Sequence, residues 1–125
     1  MKNPQPLVLI NAVGLTPKLL KFAPKLQQLA LNGWMRPLKE SLPAVTATCQ
    51  ATILTGKEPS VHGIVGNGWL FRDTAEVRFW QQSNHLIQAE PIYKTASRLA
   101  QAQGSSFKCA KMFWWFNQGA DVDIS

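Results

Sequence analysis

The residues of this 125-residue chain that are best suited to chemistry are two hydroxyl side chains followed by a glycine-rich loop. Thr46 and Thr48 stand where a helix is predicted to begin, and the helix is predicted to end at Gly56. The free N–H groups and the positive end of the dipole at a helix start hold anions without a charged side chain. A hydroxyl placed there can attack phosphorus if its pKa is lowered, as a metal ion does. Thr46 is therefore the candidate nucleophile of a phosphate site.

The loop that follows supplies a second polar group. Gly63, Gly66 and Gly68 indicate unusual backbone angles or the close approach of another group, and Asn67 lies among them. Asn67 is either a turn residue in left-handed geometry or a donor to a phosphate oxygen. The alternative role for the two threonines is helix capping, which stabilises by about 1 kcal/mol. The local sequence alone favours capping.

Two other phosphate-binding motifs are excluded. A Walker P-loop would have a glycine where Ala51 stands and a hydroxyl residue after Lys57, where Glu58 stands. A cysteine phosphatase loop around Cys49 would have an arginine where Thr55 stands. The sequence thus supports neither nucleoside-triphosphatase nor cysteine-phosphatase chemistry.

Composition and charge set the broad class. With 46% hydrophobic residues the chain can form one modest domain, and its net charge of +6 is compatible with an anionic ligand. The two cysteines fit neither a zinc spacing nor a disulfide framework, which favours a reducing compartment. The apolar run at residues 7–10 is too short for a signal-peptide core or a membrane span. We expect a cytoplasmic protein with no membrane partner.

The elements that must position these residues follow from hydrophobic spacing. The continuous branched run at residues 7–10 predicts a parallel strand buried on both faces. Thr16-Pro17 predicts a helix start, Pro24 divides that region, and its second helix ends at Asn32-Gly33. Further predictions are an extended piece at 34–38, a half-buried strand at 76–80, a helix at 91–102 and a last strand at 107–116. This order predicts an α/β fold with a mainly parallel sheet flanked by helices.

The motif around the threonines resembles a known family. The matching residues are Pro43-x-x-Thr46, then Thr52-Ile53-Leu54-Thr55-Gly56, then Pro59-Ser60-Val61-His62-Gly63-Ile64-Val65-Gly66-Asn67. This pattern resembles the type I phosphodiesterase/nucleotide pyrophosphatase group of the alkaline phosphatase superfamily, and it is especially similar to the phosphonoacetate hydrolase branch. The resemblance is specific over about 25 residues, and it implies an alkaline phosphatase-like fold.

The resemblance implies roles for individual residues. Thr46 corresponds to the covalent nucleophile and Asn67 to the asparagine that binds a non-bridging phosphoryl oxygen. Two divalent metal ions, normally zinc, serve such a site, with Thr46 as one ligand. The family's first-strand aspartate is replaced by Val13, so that Asn11, two residues earlier on the same strand face, is the remaining candidate metal ligand. His62 corresponds to a residue with a structural role and is expected to be a hydrogen-bonding brace.

The family's other metal ligands, in Asp-x-x-x-His and Asp-His motifs, have no counterpart in these 125 residues. We therefore expect residues 1–125 to be the amino-terminal part of one alkaline phosphatase-like catalytic domain, truncated after the first β/α units. Three hypotheses remain open. The chain is a module of a metal-dependent hydrolase of phosphate esters, phosphodiesters or phosphonates that is inactive in isolation, a non-catalytic remnant, or a small basic module that binds nucleic acid through its aromatic residues. The sequence favours a small phosphorylated or phosphonate substrate over nucleic acid.

Overall fold

A computed structural model describes residues 6–125, which divide into two compact units between Leu38 and Lys39. The first unit contains a 3₁₀ helix, Pro17–Phe22, and helix α1, Pro24–Asn32. Both begin with a proline, whose fixed φ suits the first helical position and whose missing N–H would be unpaired there in any case. The predicted division at Pro24 is confirmed.

The predicted first strand at residues 7–10 is wrong, because this segment forms no strand. Leu7, Val8 and Ile10 are exposed by 80%, 77% and 75%, so the run is not buried on either face. A buried parallel strand needs a hydrogen-bonded neighbour on each side. Within residues 6–125 the one sheet is a pair of antiparallel strands in the second unit. The mainly parallel sheet of the predicted fold class is thus not seen here.

The helix predicted to carry the candidate nucleophile is confirmed in the second unit. Helix α2, Thr46–Thr55, ends at Gly56, which takes the left-handed conformation with φ of 63°. A single helical turn, α3, follows at Pro59–His62 and ends at Gly63, which is also left-handed. The two glycines turn the chain back along α2.

The second unit also contains a small hairpin and a second long helix. Strands β1, Gly68–Phe71, and β2, Glu76–Phe79, pair antiparallel with Gly68 opposite Phe79. The strand predicted at 76–80 is confirmed, although every residue of β2 is exposed rather than alternately buried. A 3₁₀ turn, Asn84–Leu86, precedes helix α4, Ile92–Ala102, which matches the helix predicted at 91–102.

The strand predicted at residues 107–116 is also wrong. Ala110 forms one isolated bridge with Ile124, and the rest of the segment is irregular. Phe113 and Phe116 adopt positive φ values of 62° and 64°, which extended strands do not contain. The aromatic run therefore folds as a compact loop, with Phe116 completely buried.

The core of the second unit lies between α2 and two loops. Five buried side chains form it, and three partly buried ones pack against them: Ala47, Ala51, Ile64, Ile87 and Phe116, with Trp69, Leu86 and Trp115. Small residues on the inner face of α2 let the loop containing Ile64 approach the helix closely. Within residues 6–125, no helix has the length and apolar character needed to span a membrane.

Candidate functional site

The start of α2 is capped by a side chain from twenty residues further along the chain. The N-cap residue, Val45, has extended backbone geometry and offers no side-chain hydrogen bond to the helix. The Ala47 N–H instead donates to Asn67 Oδ1, with a nitrogen–oxygen distance of 3.0 Å. Because Ala47 directly follows Thr46, this bond places the predicted phosphate-binding asparagine beside the predicted nucleophile.

Asn67 is held by its backbone as well as by its side chain. Its carbonyl oxygen accepts a hydrogen bond from the Trp80 N–H at 2.9 Å, which extends the hairpin ladder by one rung. The next residue, Gly68, lies so close to Phe79 that a Cβ would be 2.9 Å from the ring. The loop and the hairpin therefore fix the position from which Asn67 reaches α2.

The electrostatics of this helix start favour an anion. The first turn of α2 contains no acidic residue. The N–H groups of Thr46 and Thr48 make no backbone hydrogen bond within residues 6–125, whereas the Cys49 N–H begins the helical pattern by donating to the Val45 carbonyl. Unpaired N–H groups at the positive end of a helix dipole are suitable donors to phosphate oxygens.

The two threonines have different surroundings. The side chain of Thr46 is half-buried at the helix start, whereas Thr48 is completely buried. The Thr48 hydroxyl has no hydrogen-bond partner among the described residues. Neither threonine is the N-cap, so the capping role weighed for them belongs to Asn67.

The resemblance implies Asn11 and Thr46 as metal ligands. Asn11 lies in the first compact unit and Thr46 in the second. Within residues 6–125, no group of three or more His, Cys, Asp and Glu side chains is arranged to hold a metal ion. Zinc sites in proteins normally have three or four such ligands. The described residues therefore do not supply the ligands of a two-zinc site.

His62 is a brace between α2 and the loop. Its imidazole is completely buried. Nδ1 accepts a hydrogen bond from the Ile64 N–H at 3.1 Å, and Nε2 lies 2.9 Å from the Thr52 hydroxyl oxygen. Burial lowers the pKa of His62, against the smaller opposing effect of the Glu58 carboxylate. The sequence predicted a hydrogen-bonding role for His62 but not that Thr52 is its partner. Helix α2 contains several threonines, and nothing in the sequence distinguishes Thr52 from the others.

A second buried polar network was missed altogether by sequence reasoning. Lys111 is 3% exposed, and its Nζ donates to the Phe116 carbonyl at 2.6 Å. The same carbonyl accepts from Asn84 Nδ2, which also contacts the Tyr93 hydroxyl. Burial lowers the pKa of Lys111 to about 8. Lysines usually stay exposed, so nothing in the sequence indicated this position.

The aromatic segment near the carboxyl end does not present a basic stripe. Lys111 is buried, and the exposed Lys108 forms a salt bridge with Asp123 at 2.9 Å. These are the two cations that the sequence places beside Trp114 and Trp115. A nucleic-acid surface requires free cations beside exposed aromatic rings, and these two lysines do not supply them.

The second unit thus presents a helix start with a free donor, a neighbouring hydroxyl and a side-chain amide, which together form a candidate anion-binding site. A family model described as "Type I phosphodiesterase / nucleotide pyrophosphatase" matches residues 7–125. The chain belongs to this family, which places it among phosphate ester hydrolases. A comparison with curated proteins found no match, and a comparison with solved structures found none either.

Proposed function

We propose that the start of α2 and Asn67 bind the phosphoryl group of a small phosphate ester, phosphodiester or phosphonate, with Thr46 as the nucleophile. The observation that carries this proposal is the hydrogen bond between the Ala47 N–H and Asn67 Oδ1. The bond uses the oxygen of the Asn67 amide, so the amide nitrogen remains as the donor. An N–H donor beside Thr46 has the correct polarity for a phosphoryl oxygen, which only accepts.

The neighbouring backbone supports the same ligand. The Thr46 N–H, which makes no backbone hydrogen bond within residues 6–125, adds a second donor, and no carboxylate in the first turn competes with an anion. Together with the side-chain amide it provides two donors without a cationic side chain. This arrangement suits a phosphoryl group that must be bound in similar ways before and after transfer.

The proposed chemistry proceeds in two displacements. The Thr46 Oγ1 attacks phosphorus, a threonine–phosphorus bond forms, and the bond to the leaving alcohol breaks; the hydroxyl proton departs with that alcohol. Water then attacks phosphorus, the threonine–phosphorus bond breaks with return of the proton to Oγ1, and the product is phosphate from a monoester, a phosphate monoester from a diester or a phosphonate from a phosphonate ester. For a phosphonate ester the same steps break the ester P–O bond. The Asn67 amide and the helix N–H groups stabilise the charge on the non-bridging oxygens.

We further propose that the 125 residues bind phosphate more readily than they turn over esters. A threonine hydroxyl needs activation by a base or a metal ion before it attacks. The described residues contain no cluster of His, Cys, Asp and Glu that could hold a metal ion. A phosphate-binding remnant without turnover is therefore the second candidate function, and the same missing cluster supports it.

The test is hydrolysis of a bis-aryl phosphate by the wild-type chain and by the variants Thr46→Ala and Thr46→Ser, each with and without added zinc. Intact-protein mass spectrometry of samples stopped in acid detects a covalent phosphoryl group. The assignment of Thr46 as nucleophile predicts release of the aryl alcohol and the adduct from the wild type, a weaker signal from Thr46→Ser, and neither from Thr46→Ala. Hydrolysis that is indifferent to Thr46→Ala would show that the nucleophile is wrong. Phosphate binding without any adduct would favour the remnant.

A further inference from the structure

His62 connects the middle of α2 to the loop that ends at Asn67. Both ring nitrogens are used: the Ile64 N–H donates to Nδ1, and Nε2 lies 2.9 Å from Thr52 Oγ1. Because Nδ1 accepts, the proton of the neutral ring is on Nε2, which donates to the Thr52 hydroxyl. The imidazole is completely buried, so water does not replace either bond.

Two side-chain hydrogen bonds join the loop to α2, and the bonded residues are five positions apart both in the helix and in the loop. Thr52 lies five residues after Ala47 in the helix, a rise of about 7.5 Å. His62 lies five residues before Asn67 in the loop. The loop therefore runs back along the helix, bonded at Thr52 by His62 and at Ala47 by Asn67. Between these points the fully buried Ile64 packs in the core with residues of α2.

We infer that His62 is a positioning residue for Asn67: its bonds to Thr52 and Ile64 set the loop so that the Asn67 amide sits at the start of α2. The catalytic importance of this positioning rests on the proposed function, but the positioning itself does not. Asn67 has no rigid element before it in the loop, since α3 ends at His62. His62 is thus the last helical residue before the segment that contains Ile64 and Asn67.

Protonation of the His62 ring would weaken the hydrogen bonds that hold the loop. A protonated imidazole has donors on both nitrogens, so Nδ1 would face the Ile64 N–H without an acceptor. Burial lowers the pKa of His62, and the Glu58 carboxylate, one turn earlier, raises it by less. The other groups bonded to this residue are neutral: the Thr52 hydroxyl, the Ile64 N–H, the Glu58 backbone carbonyl, which accepts from the His62 N–H, and the Gln88 N–H, which donates to the His62 carbonyl.

Amide hydrogen exchange tests the inference without any ligand. In Thr52→Val the ring loses its acceptor with little change of shape, and we expect exchange of the Ala47 N–H to accelerate about fivefold, the effect of losing one modest hydrogen bond. The Leu54 N–H, near the other end of α2, is the internal reference and should not change. Thr52→Ser keeps the hydroxyl and should restore the Ala47 protection. Equal acceleration at both amides, or none at Ala47, would overturn the inference.

The pH dependence provides a second readout. After correction for intrinsic exchange chemistry, protection of Ala47 in the wild type should fall as the pH drops below the ordinary histidine value of 6.5. His62→Gln places a non-titrating amide near the Nε2 position and should make Ala47 protection independent of pH. A variant that keeps the wild-type pH dependence would contradict the role of the ring.

Failure of the inference and failure of the proposed function are separable. If Thr52→Val exposes Ala47 but inorganic phosphate does not shift the Asn67 side-chain amide of the wild type, the positioning stands and the phosphate site is wrong. If phosphate shifts that amide equally in the wild type and in Thr52→Val, the phosphate site stands and the positioning is wrong.

Discussion

Replacement of Asn67 separates its two roles, because its oxygen and its nitrogen face different partners. Asn67→Ala removes the acceptor for the Ala47 N–H, and Val45 offers no side-chain cap in its place. Loss of a helix cap costs about 1 kcal/mol of unfolding free energy. Asn67→Asp keeps an oxygen acceptor and adds a negative charge at the start of α2, which stabilises a helix by about 0.3–1 kcal/mol. The two variants therefore shift stability in opposite directions.

Phosphate binding responds differently to the same pair. Both variants lack the side-chain N–H donor, and Asn67→Asp also places a carboxylate where the phosphoryl oxygens would lie. We expect weakened binding of inorganic phosphate in Asn67→Ala and no measurable binding in Asn67→Asp. A stable protein that does not bind phosphate would show that the loss does not come from unfolding.

The assays are urea denaturation followed by tryptophan fluorescence and calorimetric titration with inorganic phosphate. The native Asn67 chain is the reference for both. If Asn67→Ala were as stable as the wild type, the capping bond would carry no energy. If Asn67→Asp bound phosphate as tightly as the wild type, the amide would not be a phosphate ligand, and the reasoning from the polarity of the Asn67 side chain would be refuted.

Three further predictions concern stability, each measured by denaturation. Burial lowers the folded-state pKa of Lys111 to about 8 from the ordinary 10.5, so between these pH values the unfolded state binds more protons than the folded state. The free energy of unfolding should therefore rise with pH across that window, by up to about 3 kcal/mol. Lys111→Met should abolish the rise, and a rise that persists in this variant would contradict the burial of the lysine. Thr48→Val removes a buried hydroxyl that has no hydrogen-bond partner among residues 6–125, and it should stabilise the fold by about 1 kcal/mol; a loss of stability would contradict the absence of a partner. Gly63→Ala and Gly56→Ala each place an alanine in the left-handed conformation, which lowers the free energy of unfolding by about 1–2 kcal/mol. Gly63→Ala should be the more destabilising of the two, because its added Cβ would lie 2.7 Å from the Gln88 side chain. Equal losses of stability would show that the Gln88 side chain moves away at no cost.

The sequence was sufficient to predict the longer helices because their signals are local, whereas the short turns at Pro59–His62 and Asn84–Leu86 were not predicted. Proline at the first position and glycine after the last one bounded α1, and Gly56 ended α2, as the structure confirms. The placement of Thr46 at a helix start follows from such signals alone. The proximity of Asn67 to that start was inferred from the family motif, and the bond to Ala47 is consistent with it.

The two wrong strands show where local signals fail. An apolar run becomes a strand only when a neighbouring strand pairs with it, and residues 7–10 have no such neighbour within the described residues. The aromatic run at 107–116 contains two residues with left-handed backbone, which aromatic residues rarely adopt unless tertiary packing compensates. Burial of Phe116 and the bond from Lys111 to its carbonyl supply that compensation at Phe116, whereas Phe113 is 93% exposed and has no such packing.

The central claim, that a phosphoryl group binds between Thr46 and Asn67, is tested most directly by a ¹⁵N nuclear magnetic resonance titration of the protein with inorganic phosphate at neutral pH. The account predicts saturable shifts of the Thr46 backbone amide and of the Asn67 side-chain amide, both with one dissociation constant. Sodium sulfate at matched ionic strength controls for a general salt effect, and Asn67→Asp should abolish the response. Shifts confined to surface lysines, or an Asn67 amide that does not respond, would contradict the account.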